Sequence, residues 1–359
     1  DMQNNKNLLQ NLLLRENNNF DLIRLIAAWL VIYGHANAMI PPVYQRADAI
    51  AVFLVFDYSG ALAVKIFFFL SGLVVANSLL EKKNILQFVV ARFFRIWPAF
   101  LLVLFFTSFF IGGYFTTLTL EQYFSHPDVY GYIYRNAMMD IVFELPGVFQ
   151  NSSSINNRSI NGSIWSLPYE LGAYILLLSF FILGLQNYKK LSILVAFIFL
   201  LDVILENKVV FSWRSLNASV DDLAPFFAFG ALLALFKDRV VIDFKIVFAL
   251  FLIYFIFRNS LYVKYIFYIF LLFFLLYIFS RKFSLNLKIN SDISYGVYIW
   301  GWPIQQVLAH TFPNLSFFQH VSVAIFLASV AGVFSWFLIE KPGMKIGGMV
   351  YKNLANRFG

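Results

Sequence analysis

The sequence contains no cysteine, which excludes disulfides, thiolate-bound metals and a cysteine nucleophile. Its four histidines, His35, His126, His310 and His320, are too scattered to suggest a zinc site, and no metal is expected. Charge is sparse too. Asp, Glu, Lys and Arg supply 13% of the residues, against about 25% in soluble domains. No stretch reads as an appended soluble domain. No internal repeat is visible, which weakens a transporter built from two related halves. The first apolar run lacks a small-residue cleavage site and is expected to stay in the mature protein. What is abundant is apolar: 60% of the 359 residues are hydrophobic, 20% are aromatic and the mean hydropathy is +0.73. This composition predicts an all-α integral membrane protein.

Ten apolar segments read as transmembrane helices. They are Phe20–Ala38, Tyr58–Leu80, Ile96–Tyr114, a run opening at Trp165, Leu191–Leu205, Leu223–Phe236, Val241–Phe257, Leu261–Phe279, Ile293–Ala309 and Val321–Ile339. Residues 1–19 form a polar, Asn-rich tail, 20–342 the membrane domain and 343–359 a second tail. Residues 115–162 form the longest non-spanning region and end in NSSSINNRSINGS, expected from its composition to be a mobile loop. Ten spans leave both termini on one side. With the N-terminus in the cytoplasm, the inside segments hold 18 Lys and Arg and the outside segments 7, with Arg24 and Lys65 inside spans. That asymmetry follows the positive-inside rule and explains the net charge of +8 without a nucleic-acid partner. Both tails are therefore expected in the cytoplasm, and region 115–162 outside.

The first span, FDLIRLIAAWLVIYGHANA, carries Asp21, Arg24 and His35. Arg24 and His35 are eleven residues apart; on a helix this is about three turns plus 20°, so both leave one face, about 16 Å apart along the axis. Asp21 lies three residues before Arg24, within pairing distance. A charged side chain in hydrocarbon costs about 2.5–3.5 kcal/mol even on lenient scales, so two ionisable groups on one stripe point to function. The bland alternative is a snorkelling Arg24 and a satisfied, buried His35.

Arg92 and Arg95 sit in a basic connector, EKKNILQFVVARFFRIWP, on the cytoplasmic side. Their guanidinium forks suit phosphate, or else serve only topology and anionic lipid. Trp165, Ser166 and Glu170 open the fourth span at the outer face. Glu170 suits a substrate hydroxyl or the orientation of His35, unless it is an interfacial carboxylate in water. Ser71 and Gly72 fit a close helix contact, and nothing in the sequence makes Ser71 a nucleophile. Tyr295, Tyr298, Trp300 and Trp302 read as an interfacial aromatic belt sooner than as a sugar platform.

In order, these motifs resemble the acyltransferase-3 family, bacterial inner-membrane proteins that O-acylate carbohydrates. FDLIRLIAAWLVIYGH matches the opening helix with its Arg and His, and FFFLSG (Phe67–Gly72) the second-helix motif. ARFFRIWP matches the Arg-x-x-Arg motif, IWSLPYELGAY the motif ending at Glu170, and SYGVYIWGWPI and IEKP the last two spans. An extra esterase-like domain found in some members is not seen, so a stand-alone member is expected. The resemblance implies a multi-pass protein of the bacterial inner membrane. Acyl-CoA, usually acetyl-CoA, would bind from the cytoplasm as co-substrate, and a glycan hydroxyl in the periplasm would receive the acyl group. That glycan would be O-antigen lipopolysaccharide, capsule, exopolysaccharide or a lipid-linked precursor.

On this reading His35 is the general base, with Arg24, Asp21 and Glu170 completing the catalytic set. Arg92, Arg95, Arg24 and Ser71 are the coenzyme contacts; Trp165, Ser166 and Glu170 face the acceptor. Arg24 either binds coenzyme A or ties down Asp21, and both direct transfer and an acyl-histidine intermediate stay open. Membrane lipids are expected partners, a second copy of the chain is an open one, and nucleic acid is not expected. The chief rival is a transporter or flippase of a polyprenyl-linked sugar, with Arg24, Glu170 and His35 lining the pathway. A membrane glycosyltransferase would draw on acidic residues of the outer loop, where only Asp128, Asp140 and Glu144 are offered.

Overall fold

The computed structural model describes residues 7–150, 158–184, 187, 192–193, 223–289 and 291–358. Among these, helices account for the regular structure, with two isolated backbone bridges, Leu8 to Val241 and Thr116 to Val148. The first helices in chain order are α1 (Leu9–Leu12), α2 (Phe20–His35), α3 (Ala49–Leu54), α4 (Ser59–Lys82) and α5 (Ile85–Phe115). Next come α6 (Leu120–Ser125), α7 (Pro127–Ala137), α8 (Leu167–Ile182), α9 (Leu223–Leu235) and α10 (Phe244–Ile256). Then follow α11 (Val263–Ile278), α12 (Lys282–Asn286), α13 (Ser294–Thr311), α14 (Phe317–Ser335) and α15 (Lys341–Phe358). One π-turn, Thr107–Ile111, lies within α5, and another, Trp336–Glu340, joins α14 to α15.

Local chemistry sets the boundaries. Asp48, Asn84 and Asp243 cap α3, α5 and α10 by accepting hydrogen bonds from backbone N–H groups. Capping boxes at Thr119/Gln122 and Ser316/Gln319 start α6 and α14. The cap at Asn84 corrects one expectation. The basic connector is not a loop, because α5 begins at Ile85 rather than at Ile96, and Arg92 and Arg95 ride on the helix.

Among the described residues, four helical runs are long and apolar enough to cross a membrane: Ser59–Lys82, Ile85–Phe115, Gly162–Ile182 and Phe317–Arg357. α9, α10 and α11 are shorter apolar helices at expected span positions. α2 and α13 also occupy expected positions but are diluted by ionisable and amide side chains. The expected fifth span, Leu191–Leu205, lies outside the described residues apart from positions 192–193.

The chain divides into two compact units. One comprises residues 1–27, 64–83 and 172–290. In it α4 and α9 meet at backbone distance: a Cβ on Gly72 would lie 2.1 Å from the Phe227 carbonyl oxygen, and one on Gly230 2.2 Å from that of Phe69. Small residues permit this approach where lipid offers no hydrophobic drive. The polar N-terminal stretch is folded from Leu8 onward. Leu9 and Leu12 are buried, Asn18 donates to the Leu12 and Leu14 carbonyls, and Asn19 donates to that of Ser284.

The other unit comprises residues 28–63, 84–171 and 291–359. α13 and α14 form its spine, with Gly296 packed on Gly332. α15 runs along α5, where Gly347 admits the Phe94 ring and Gly343 faces Pro98. α6 and α7 bury Tyr123 and Tyr132, and the Tyr123 hydroxyl donates to the Ser108 carbonyl at 2.7 Å. Burial pushes both phenols above their usual range, so they stay protonated.

Candidate active site

α2 bears the ionisable stripe. In its first turn Asp21 pairs with Arg24 at 3.7 Å, and Arg15 reaches the same carboxylate at 3.8 Å. At the far end His35 closes the helix. Its ring stands edge-on to Trp302, with centroids 4.7 Å apart and planes at 69°. His35 Nδ1 is buried and has no hydrogen-bond partner among the described residues. It therefore makes no bond to Glu170 through that nitrogen, and the ring is held by packing.

α13 supplies the packing. Gly301 lies against Ile32, where a Cβ would come within 2.8 Å of the Ile32 side chain. Gln305 Nε2 donates to the Ile32 carbonyl at 2.9 Å. That oxygen belongs to the last turn of α2, so Gln305 ties α13 to the turn that carries His35.

The same helix holds the outer loop. Trp302 Nε1 and Gln306 Nε2 donate to the Ser159 carbonyl at 2.9 and 2.7 Å, and Asn161 Nδ2 donates to that of Ile299 at 3.0 Å. Tyr298 gives its proton to the Ser163 carbonyl at 2.6 Å and accepts from Ser166 Oγ at 2.7 Å. Glu170 and Tyr58 are its ionisable neighbours. Gly162 is required here, since a Cβ would stand 2.5 Å from the Trp302 indole.

Two expectations are corrected by this arrangement. The described end of the Asn/Ser-rich tract is fixed and buried, with Ile160, Asn161 and Ser163 at 0% exposure. Residues 151–157 lie outside the described residues. Tyr298 and Trp302 are not belt residues either: Tyr298 is buried and bonded to Ser163 and Ser166, and Trp302 stands against His35 and donates to Ser159.

The remaining sequence-derived residues are placed as follows. Trp165 stacks edge-on to Tyr169 at 6.1 Å, and Ser166 has its hydroxyl committed to Tyr298. Glu170 lies half-buried in the first turn of α8. Ser71, in the first unit, shares a 2.9 Å hydrogen bond with the Tyr174 hydroxyl. Arg92 is half-buried on α5. One turn on, Arg95 Nη2 donates to Asp292 at 2.7 Å, Nη1 donates to Glu340, and the guanidinium faces the rings of Tyr295 and Trp336.

The acyltransferase domain of the acyltransferase-3 family matches residues 17–341. The chain belongs to that family. It is 30% identical over 338 residues to the O-acetyl transferase of Shigella phage Sf6, covering 91% of this chain and 96% of that protein. It is 29% identical over 163 residues to nodulation protein 10 of Rhizobium leguminosarum bv. viciae, covering 45% of this chain and 43% of that protein. No solved structure matches. The protein is thus an acyltransferase enzyme of a membrane-protein family, and the phage relative points to O-acyl transfer. No group of three or more potential metal ligands occurs among the described residues of the acyltransferase.

Sequence reasoning missed Asp292, Tyr298, Trp302 and Gln305 as members of these clusters. Their signals were faint. Asp292 and Glu340 are acidic residues beside apolar runs, and the adjacent Gln305 and Gln306 interrupt an otherwise apolar helix.

Proposed function

We propose that the acyltransferase moves an acyl group, acetyl by preference, from cytoplasmic acyl-CoA to a hydroxyl of a periplasmic surface polysaccharide or its lipid-linked precursor. His35 acts as general base. It takes the proton of the acceptor hydroxyl as that oxygen attacks the thioester carbonyl. The carbon–sulfur bond then breaks and coenzyme A leaves as the thiol. A neutral imidazole can take up that proton.

The observation that carries the reading is the unpartnered, buried Nδ1 of His35 beside Trp302, at the end of a helix that opens with the Asp21–Arg24 pair. Glu170 and Trp165 face the acceptor, next to a loop that α13 has already fixed. The pair with Asp21 supports a tying role for Arg24. Arg92 meets the phosphate end of the donor, because a guanidinium offers forked donors that stay charged.

Purified protein given labelled acetyl-CoA and a glycan extract should release coenzyme A and label the glycan. His35→Ala should lower transfer at least about 100-fold, the scale of lost general-base catalysis, with donor binding retained. Full activity in that variant would remove His35 from the mechanism. Glycan movement without coenzyme A release would favour a flippase.

A further inference from the structure

The second arginine of the Arg-x-x-Arg motif is held from two sides. Arg95 spends both terminal nitrogens on carboxylates from distant parts of the chain: Asp292, just before α13, and Glu340, at the end of the π-turn between α14 and α15. Each carboxylate is in turn completed. Glu340 Oε1 accepts from Ser335 Oγ at 2.8 Å, and Asp292 Oδ1 accepts from Ser294 Oγ. Tyr295, on whose face the guanidinium lies, donates to the Ile96 carbonyl at 3.1 Å, adding a direct tie from α13 to α5.

The one guanidinium is already matched by two close carboxyl partners. The Glu340 side chain has 0% exposure and that of Arg95 18%. An anionic donor brought to Arg95 would have to displace buried, hydrogen-bonded partners. The π-turn fits the same picture, since such turns commonly accommodate a functional side chain inside an α-helix.

We propose that Arg95 is a positioning residue rather than a ligand of the donor. It locks α5 to α13 and to the α14–α15 junction, and so fixes the height and tilt at which Arg92, one turn earlier, is presented. This inference rests on the reading that Arg92 meets acyl-CoA.

The two roles for Arg95 predict opposite signs. If Arg95 positions α5, then Glu340→Gln and Asp292→Asn loosen the lock and raise the KM for acetyl-CoA by at least about threefold; displacement by about 1 Å can cost up to about 100-fold. If Arg95 binds the donor directly, the same variants free its guanidinium and lower that KM. The measurement uses purified full-length protein and compares KM for acetyl-CoA, KM for the glycan acceptor and kcat.

The expected result is a rise in donor KM with acceptor KM and kcat near wild type, a split that partial unfolding does not produce. The Arg95→Ala, Glu340→Gln double variant should be no worse than Arg95→Ala alone. An unchanged or lowered donor KM in Glu340→Gln overturns the proposal, and this variant decides the question even if Arg95→Ala does not accumulate. Arg92→Ala serves as the separate control. An unchanged donor KM there removes the donor reading itself, whereas a raised one alongside a lowered value in Glu340→Gln removes only the positioning role.

Discussion

Gln305 ties α13 to the last turn of α2, which carries an imidazole whose Nδ1 has no hydrogen-bond partner among the described residues. Gln305→Leu preserves most of the volume but removes the donor. We expect kcat to fall about tenfold, within the range that small misplacement costs, with both KM values nearly unchanged. A wild-type kcat would show that packing against Gly301 and Trp302 suffices. The placing of Arg24 and His35 on one helix was legible from the sequence because helix period depends on local spacing alone. The Arg95 partners were not, because they lie 197 and 245 residues away and only folding brings them together.

At the scale of the element, the crossing of α4 and α9 depends on two glycines that leave no room for a methyl group. Gly72→Ala should destabilise the protein by about 1–3 kcal/mol, the usual cost of overpacking, seen as a lower Tm in detergent. A wild-type Tm would mean that the helices separate freely. Helix existence was readable wherever an apolar run met a capping residue, as at Asn84 and Ser316. The start of α5 was misjudged because Arg92 and Arg95 look like connector residues until their burial against other helices is known. The loop at 158–163 was misjudged for a related reason. Its Asn and Ser side chains look solvent-seeking, yet Asn161 finds its partner on α13.

For the molecule as a whole, sidedness rests on the uneven distribution of Lys and Arg. The lack of native cysteine offers a clean test. A membrane-impermeant maleimide should label Asp128→Cys in cells whose inner membrane is intact, and Lys352→Cys only after that membrane is opened. Both positions are exposed. The reverse pattern would invert the topology.

The unbroken helical run Phe317–Arg357 has 41 residues, a contour of about 60 Å against a hydrocarbon layer of about 30 Å. Its contour exceeds that layer about twofold, and the stretch from Lys341 onward holds Lys341, Lys345, Lys352 and Arg357 with no acidic residue. A helical protein spliced in register beyond Arg357 would inherit the stiffness of this rod. Such a fusion would give a 41.5 kDa protein hidden in a detergent micelle a fixed external landmark for aligning electron micrographs.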